Sequence, residues 1–320
     1  MSIANEISRL NTAKANIKTA IENKGVTVPS AATLDTYPTY INSISQSGGG
    51  ASSSSPYGEL IDTYNNSTTS NWKPGALFTS VVIPKEVVSL DANAFQNSKQ
   101  LETVTFESGS AFTSCGNNTF RTCTALQSVV FPSTLRTLGG YSFHGCTSLE
   151  SVNLPEGMTT ITASLFEGCQ SLSSITIPST VTSIGSSAFS NCKALSSITI
   201  PSGVTTLSES VLYSCSGLTS VTLPNGLLTI GKQSLRACTG LTSLTIPSTV
   251  TTINDYAFHT CKNIVSLTCE ATTPPTISGS NVFGSMTALT AVYVPSESVS
   301  AYQAASGWSA LSSKIQAIPS

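Results

Sequence analysis

The sequence predicts an α/β solenoid, in which about nine or ten units of 23 residues stack on one another and each contributes one parallel β-strand. Three observations predict this fold. Apolar residues alternate just before a recurring proline, as in Ile175-Thr176-Ile177, which is the period of a strand with one buried face. Prolines recur every 23 residues, at Pro132, Pro155, Pro178, Pro201, Pro224 and Pro247. Cysteines keep the same interval, at Cys123, Cys146, Cys169, Cys192, Cys215, Cys238 and Cys261.

Each unit continues beyond its strand. Pro178 ends the strand because proline has no N–H to donate, and a second apolar pair, Val181 and Ile184, follows. The segment Ala188-Phe189-x-x-Cys192-x-x-Leu195 then has a three-residue spacing that favours one turn of α- or 3₁₀-helix. Successive strands must run parallel about 4.8 Å apart, which gives a rod about 45 Å long.

The unit from Leu172 to Leu195 reads L-x-x-I-x-I-P, V-x-x-I-G, A-F-x-x-C and L. This pattern resembles the BspA-type leucine-rich repeat, and the resemblance covers roughly residues 77 to 318. It implies a leucine-rich-repeat solenoid. The family is associated with bacterial cell-surface and secreted adhesion proteins and is not known for catalysis, so the resemblance implies binding.

Composition narrows the function classes. Hydrophobic residues make up 39% of the chain and charged residues only 9%, and the formal net charge is −2. This charge gives no basic surface for nucleic acid or anionic lipid. No apolar run has the length of a membrane span, and MSIANEISRL lacks the apolar core of a signal peptide. We therefore expect no nucleic acid partner, no membrane insertion and no secretion by the usual route.

The nine cysteines predict a buried column rather than disulfides or a metal site. Seven of them share one position of the repeat, where they would act as small apolar residues. Ser98 and Met286 occupy the same position in other units, which an obligatory disulfide or metal ligand would not allow. There is no C-x-x-C motif, and the only histidines are His144 and His259, so we expect no metal and no cofactor.

Residues 1 to 45 predict a short helical module for assembly or attachment. Its apolar residues follow a heptad seam that only Lys14 interrupts, and isoleucine at the seam favours a homotrimer. The alternative is a helix that packs on the next segment of its own chain. The seam consists of Ile3, Ile7, Leu10, Ile17 and Ile21. The block of about forty-five residues that contains AIENKGVTVPS (residues 20 to 30) resembles a module near the ends of bacteriophage tail and fibre proteins, which implies attachment to the virion or to other copies of the chain.

Further boundaries follow from composition. Residues 46 to 56, QSGGGASSSSP, predict a flexible linker, and residues 57 to 76, with Trp72, predict an N-terminal cap. The solenoid is expected over residues 77 to 295. In its second unit Glu107 replaces the proline, and extra residues between Gly109 and Asn118 should bulge from a turn. Residues 296 to 320 predict a C-terminal cap with a helix that carries Trp308.

No enzyme signature is present, since neither histidine has a Ser-His-Asp arrangement and no pair of carboxylates is specified. The candidate binding residues lie instead in two variable rows. The outer row follows the repeat phenylalanine or leucine and reads Gln96, Arg121, His144, Glu167, Ser190, Tyr213, Arg236, His259 and Gly284. The turn row lies three residues earlier and includes Asn93, Tyr141, Ser164, Ser187, Ser210, Gln233 and Tyr256.

The residues we single out for binding are Tyr141, His144, Glu167, Tyr213, Arg236, Tyr256 and His259. Aromatic and charged side chains supply stacking and polar contacts, although neutral drift of an idle surface explains the same variation. By contrast, the strands carry a threonine ladder, which favours a solvated face. The ladder consists of Thr176, Thr199, Thr222, Thr245 and Thr268.

These observations predict a non-enzymatic adhesion protein. Our first hypothesis is a phage fibre or receptor-binding protein of the virion, whose repeats contact a protein or glycan of the host surface. The alternative is a bacterial BspA-like cell-surface adhesin.

Overall fold

The computed structural model describes residues 79–319. The predicted assembly module of residues 1 to 45, with its seam residues Ile3, Ile7, Leu10, Ile17 and Ile21, lies outside the described residues. So do the linker and the N-terminal cap with Trp72.

The chain winds into coils that place parallel strands in two columns, before and after the repeat proline. The first column contains β1 (Ser80–Ile83), β3 (Thr103–Phe106), β5 (Ser128–Val130), β7 (Ser151–Asn153), β10 (Ser197–Thr199), β12 (Ser220–Thr222), β14 (Ser243–Ile246), β16 (Ser266–Cys269) and β18 (Ala291–Val294). The second contains β2 (Ser89–Leu90), β4 (Ser114–Cys115), β6 (Thr137–Leu138), β8 (Thr160–Ile161), β9 (Ser183–Ile184), β11 (Thr206–Leu207), β13 (Thr229–Ile230), β15 (Thr252–Asn254) and β17 (Thr276–Ser278).

Where neighbouring strands pair, each residue meets its equivalent one coil further on. Ser243 pairs with Ser266 in the first column, and Thr229 pairs with Thr252 in the second. The prediction of about ten stacked coils of 23 residues is confirmed. The second column was not predicted, because two residues are too few to show an alternating pattern.

One coil departs from the prediction. Ser174 to Thr176 form no strand, although Ile175-Thr176-Ile177 has the alternating pattern. In the preceding coil the amide side chain of Asn153 stands in for a backbone bond, since its Oδ1 accepts from the Phe131 N–H at 2.6 Å. Elsewhere the corresponding N–H, that of Ile200, donates to the backbone carbonyl of Thr222. The first column is interrupted at the coil of Ser174 to Thr176, and strand pairing stops again between β12 and β14.

The segment between the second strand and the next coil is not helical. Ser190 and Cys192 each close a turn with the residue three positions earlier, at 3.0 and 3.2 Å. Ser187 and Asn191 have φ of +57° and +60°, which a right-handed helix does not contain. The prediction of a helical turn is wrong because the three-residue spacing fits successive turns equally well.

The predicted insertion lies in one turn. Strands β2 and β4 start 25 residues apart rather than 23, and the two extra residues lie between Phe106 and Phe112. Gly109, with φ of +77°, allows the reversal, and Phe112 returns to the core fully buried.

A single apolar cluster runs through the solenoid from Ile83 to Ile315. Phenylalanine rings stack along it, with centroids 5.3 to 5.6 Å apart between Phe95, Phe120, Phe143, Phe166 and Phe189. All nine cysteines are buried and free, as predicted for the seven in the repeat column.

After β18 the chain forms a 3₁₀ helix, η1 (Ser296–Ser298), the helix α1 (Val299–Ala304), a second 3₁₀ helix, η2 (Ser309–Lys314), and β19 (Ile315–Ala317). Tyr302 of α1 is fully buried, and its hydroxyl donates to the Ala271 carbonyl at 2.8 Å. Trp308 is also fully buried, but it lies after α1 rather than on it, and its Nε1 donates to the Pro275 carbonyl at 2.8 Å. Strand β19, which was not predicted, pairs with β18 and covers the last coil.

The described residues contain one α-helix, of six residues, so the repeats are built from strands and turns and the α/β class is too helical a description. Between residues 79 and 319 no helix has the length and apolar character needed to span a membrane.

Candidate binding surface

Both variable rows lie on the turns that follow the second strand column. In each coil the residue after the outer-row residue donates its backbone N–H to the outer-row carbonyl of the next coil. The five bonds between the coils of Arg121 and Arg236 are Thr122 to His144 at 2.8 Å, Gly145 to Glu167 at 2.7 Å, Gly168 to Ser190 at 2.8 Å, Asn191 to Tyr213 at 2.7 Å and Ser214 to Arg236 at 2.8 Å. This third ladder has no interruption at the coil where the first column breaks.

One cluster lies in the C-terminal half and contains four of the candidate residues. The guanidinium carbon of Arg236 lies 5.7 Å from the ring centroid of Tyr213 and 5.4 Å from that of Tyr256. The Tyr256 ring meets His259 edge-on, with centroids 5.3 Å apart. The His259 Nδ1 is 2.7 Å from the Thr260 hydroxyl. The arrangement holds one cation between two aromatic rings, and cation–π contacts of this kind stabilise a side-chain position by about 0.5–1 kcal/mol at exposed sites.

A second cluster contains the other three candidates. The rings of Tyr141 and His144 lie 6.0 Å apart, and the His144 Nδ1 is 3.5 Å from a carboxylate oxygen of Glu167. Arg121 joins them, with its guanidinium carbon 5.7 Å from the Tyr141 centroid. Arg121 was not among the singled-out residues, although it stands in the outer row. What identifies Arg121 is its sequence spacing from Tyr141 and His144, because Arg236 has the same spacing from Tyr256 and His259 in the C-terminal cluster.

The rows are less exposed than expected. The side chains of His144 and Glu167 are each 28% exposed, and Ser190 is buried. Tyr213, Arg236, Tyr256 and His259 are half-buried, whereas Tyr141 is exposed. The side chains therefore lie against the turns rather than projecting freely, which limits the number of conformations that each can adopt.

The turn-row residues from Asn93 to Tyr256 all have a positive φ, and their backbone N–H groups donate to the next coil. Tyr141 has φ of +61° and Tyr256 of +56°, at positions that other coils fill with Asn118, Asn281 or serine. Asparagine tolerates this conformation, whereas a bulky residue there is an outlier. The sequence could not reveal this, because tyrosine is not a residue that marks a left-handed turn.

Partial burial, and secondarily the nearby Arg236 guanidinium, lower the pKa of His259 below its ordinary value. The lowered pKa favours the neutral imidazole, so in the C-terminal cluster the positive charge is that of Arg236. The threonine ladder, by contrast, is exposed at Thr199, Thr222 and Thr245 and carries no charged or aromatic residue. Across residues 79–319, no group of three or more His, Cys, Asp or Glu side chains could hold a metal ion.

Comparison with known families agrees with this architecture. The model of the BspA type leucine rich repeat region matches residues 74–196 and 182–306 of the chain. The chain belongs to the BspA-type leucine-rich repeat family. No curated protein matches it.

Several solved structures are similar. A leucine-rich repeat protein from Bacteroides ovatus ATCC 8483 has 24% identity and a TM-score of 0.48, with 65% of this chain and 64% of that protein covered. A leucine-rich repeat protein from T. pallidum has 29% identity and a TM-score of 0.48, with 51% and 78% covered. A leucine-rich cell surface protein from Faecalibacterium prausnitzii A2-165 has 21% identity and a TM-score of 0.34, with 75% and 83% covered. The chain thus spans less than two thirds of the B. ovatus protein.

Proposed function

We propose that this protein is a non-enzymatic adhesin, a bacterial surface protein whose solenoid presents the two variable rows to a ligand. The observation that carries the proposal is the position of Arg236 between Tyr213 and Tyr256. Among the described residues no acceptor lies within hydrogen-bonding distance of its guanidinium, so its donors are held in place and remain available to a partner. Tyrosine and arginine are also the residues that contribute most energy at binding sites. Membership of a family associated with surface adhesion supports the same function.

Adhesion of cells to the immobilised full chain tests this function, together with immunolabelling of intact producing cells. We expect adhesion to fall at least tenfold in the double variant Tyr213→Ser and Arg236→Ser, because the preorganised cation and one ring are lost. The matched control is Thr199→Ser with Thr222→Ser on the exposed strand face, which should adhere normally. Loss of adhesion in the control but not in the first variant would place the site on the threonine ladder.

The phage fibre hypothesis draws on residues 1 to 45, which resemble a phage module and lie outside the described residues, and on the adhesive family of the repeats. A virion protein would place the same solenoid at the end of a fibre, with a host surface protein or glycan as its ligand. The genes that flank this one distinguish the two locations. Tail, capsid or portal genes favour the virion, and genes for surface anchoring favour the bacterial adhesin.

A further inference from the structure

The two clusters contain the same three residues in the same arrangement. The second set follows the first by 115 residues, which is five units of 23. Arg236 corresponds to Arg121, Tyr256 to Tyr141 and His259 to His144. We call these sets the Arg–Tyr–His triads. The three residues are not part of the repeat frame, since the coils between carry other residues at both row positions. The repetition therefore concerns the surface rather than the core.

The spacing between the triads is fixed by backbone hydrogen bonds. Five coil steps separate Arg121 from Arg236, and each step contains an outer-row bond of 2.7 to 2.8 Å. At about 4.8 Å per step the triads lie about 24 Å apart. Because this ladder is unbroken, the distance is a rigid property of the fold.

Both triads place tyrosine where the backbone disfavours it. A left-handed conformation costs a non-glycine residue about 1–2 kcal/mol, and Tyr141 and Tyr256 both adopt it. The left-handed turn recurs in the other coils with asparagine, serine or glutamine at the same position, so the fold itself does not require an aromatic ring there. The feature particular to Tyr141 and Tyr256 is therefore the ring, which each triad places beside its arginine.

The triads offer cations without a carboxylate partner. Among the described residues, Arg236 has no acceptor within hydrogen-bonding distance, and Arg121 donates only to the Asn118 side chain, at 3.3 Å. Of the nearby carboxylates, Glu209 lies 3.5 Å from Lys232 and Asp255 accepts from the Ser280 N–H, whereas Glu167 lies 3.5 Å from the His144 Nδ1 without a hydrogen bond. A guanidinium stacked on an aromatic ring and free of carboxylates is suited to an anionic group such as carboxylate or sulfate.

The turn row between the triads carries short side chains. It consists of Ser187, Ser210 and Gln233, which are half-buried, and Ser164, which is buried, and all four are shorter than tyrosine. We propose that the two Arg–Tyr–His triads bind separate acidic units of one linear anionic polysaccharide, which lies along the turn row between them. This inference rests on the proposed binding function and names its ligand class. Repelling charges keep such a chain extended, and its hydroxyl groups match those of Ser187 and Ser210. A single-stranded nucleic acid would need aromatic rings on which successive bases stack, and the turn row between the triads has none.

Binding of the purified full chain to defined polymers tests the proposal. The probes are polygalacturonate and hyaluronan, with uncharged dextran and single-stranded DNA as controls. We expect at least one acidic polysaccharide to bind, and Arg121→Gln or Arg236→Gln alone to weaken polymer binding at least tenfold. The affinity of the corresponding disaccharide, which is too short to reach both triads, should change less than twofold while its stoichiometry falls from two to one. Polymer binding is expected to weaken because a bivalent ligand loses the advantage of its second contact.

Two further variants provide the controls. Tyr141→Ser with Tyr256→Ser copies the residue found in the coils between, and we expect weaker polymer binding with no decrease in the thermal midpoint. Lys193→Ala removes an exposed charge outside both rows and should leave binding unchanged. The proposal is overturned if neither acidic polysaccharide binds, if dextran or DNA binds equally well, or if Lys193→Ala weakens binding as much as the arginine variants. Because no cells are used, each of these results leaves the adhesion test open.

Discussion

The repeat cysteines act as hydrogen-bond donors as well as small apolar residues. The Cys192 thiol donates to the Phe166 carbonyl of the preceding coil at 3.2 Å, and the same carbonyl accepts from the Cys169 N–H at 3.1 Å. Burial raises the pKa of Cys123 and Cys215 to about 12, and that of Cys192 well above its ordinary value. The thiols are therefore neutral and shielded from reagents at pH 8, where a thiolate would be needed for reaction.

Replacing Cys192 by aspartate should lower the free energy of unfolding by at least about 3 kcal/mol, because the new carboxylate would be buried without a cation. Cys192→Ala is the matched control and should cost less, since it removes only a weak hydrogen bond and a small side chain. Chemical denaturation measures both values. In the native wild-type protein we expect no thiol to react with iodoacetamide, and all nine to react after denaturation. Disulfide-linked peptides from neighbouring coils, found without reduction, would contradict this view.

At the scale of elements, the sequence predicted the strands before each proline well and the turns poorly. Alternation identifies a strand because only that geometry puts every second residue on one face. The turn from Ser187 to Cys192 has no such unique pattern, since its three-residue spacing fits both a helix and successive turns. The two variable rows are visible in the sequence because they vary within a constant frame. Their strain is not, because it depends on the φ of Tyr141 and Tyr256.

The C-terminal segment was predicted as a cap with a helix, and its attachment explains why two aromatic residues are needed there. Tyr302 and Trp308 meet edge-on with centroids 5.0 Å apart, and Phe283 lies 5.0 Å from Trp308. Each polar group of the pair reaches a carbonyl, Ala271 for Tyr302 and Pro275 for Trp308. The segment thus satisfies buried backbone groups at the end of the stack as well as covering the apolar core.

Tyr302→Phe should lower the free energy of unfolding by about 1–3 kcal/mol, because the buried Ala271 carbonyl would lose its donor. Tyr293→Phe is a suitable control, since Tyr293 is half-buried in β18 and no hydrogen bond of its side chain is seen in the described structure. Thermal and denaturant unfolding of both variants measures the difference. If both variants lowered the free energy of unfolding equally, the cost would come from losing a hydroxyl group in this region and not from losing the hydrogen bond to Ala271.

At the scale of the whole molecule, the residues that stabilise the solenoid are largely separate from those of the two variable rows. The frame residues repeat because each coil must bury the same face of its neighbours, whereas the row residues other than Ser164 and Ser190 lie outside the buried core. Identical triads can therefore recur five coils apart without altering the core. The sequence contains the repetition as a 115-residue interval, but each triad combines residues of both rows, so neither row alone shows the complete triad. The distance between the triads becomes meaningful only when the coils are known to be in register.

Assembly is the property of the whole molecule that the sequence predicts from residues 1 to 45. We expect the full chain to form a trimer through its isoleucine-rich heptad seam, and residues 57 to 320 alone to be a folded monomer. Sedimentation velocity distinguishes the two states. Ile7→Asp with Ile17→Asp in the full chain should also give a monomer, because each change places a charge in the seam. The matched control, Thr12→Asp with Thr19→Asp, adds the same two charges outside the seam and should leave the trimer intact.

A trimer would also change how the solenoids bind. Three linked copies present three pairs of triads to one surface, so the full chain should hold a polysaccharide-coated surface longer than residues 57 to 320 do, while both bind the disaccharide equally. Surface plasmon resonance on an immobilised acidic polysaccharide measures the two dissociation rates. If residues 57 to 320 sedimented as the same oligomer as the full chain, the solenoid itself would be the assembly element, and the seam of residues 3 to 21 would have another role.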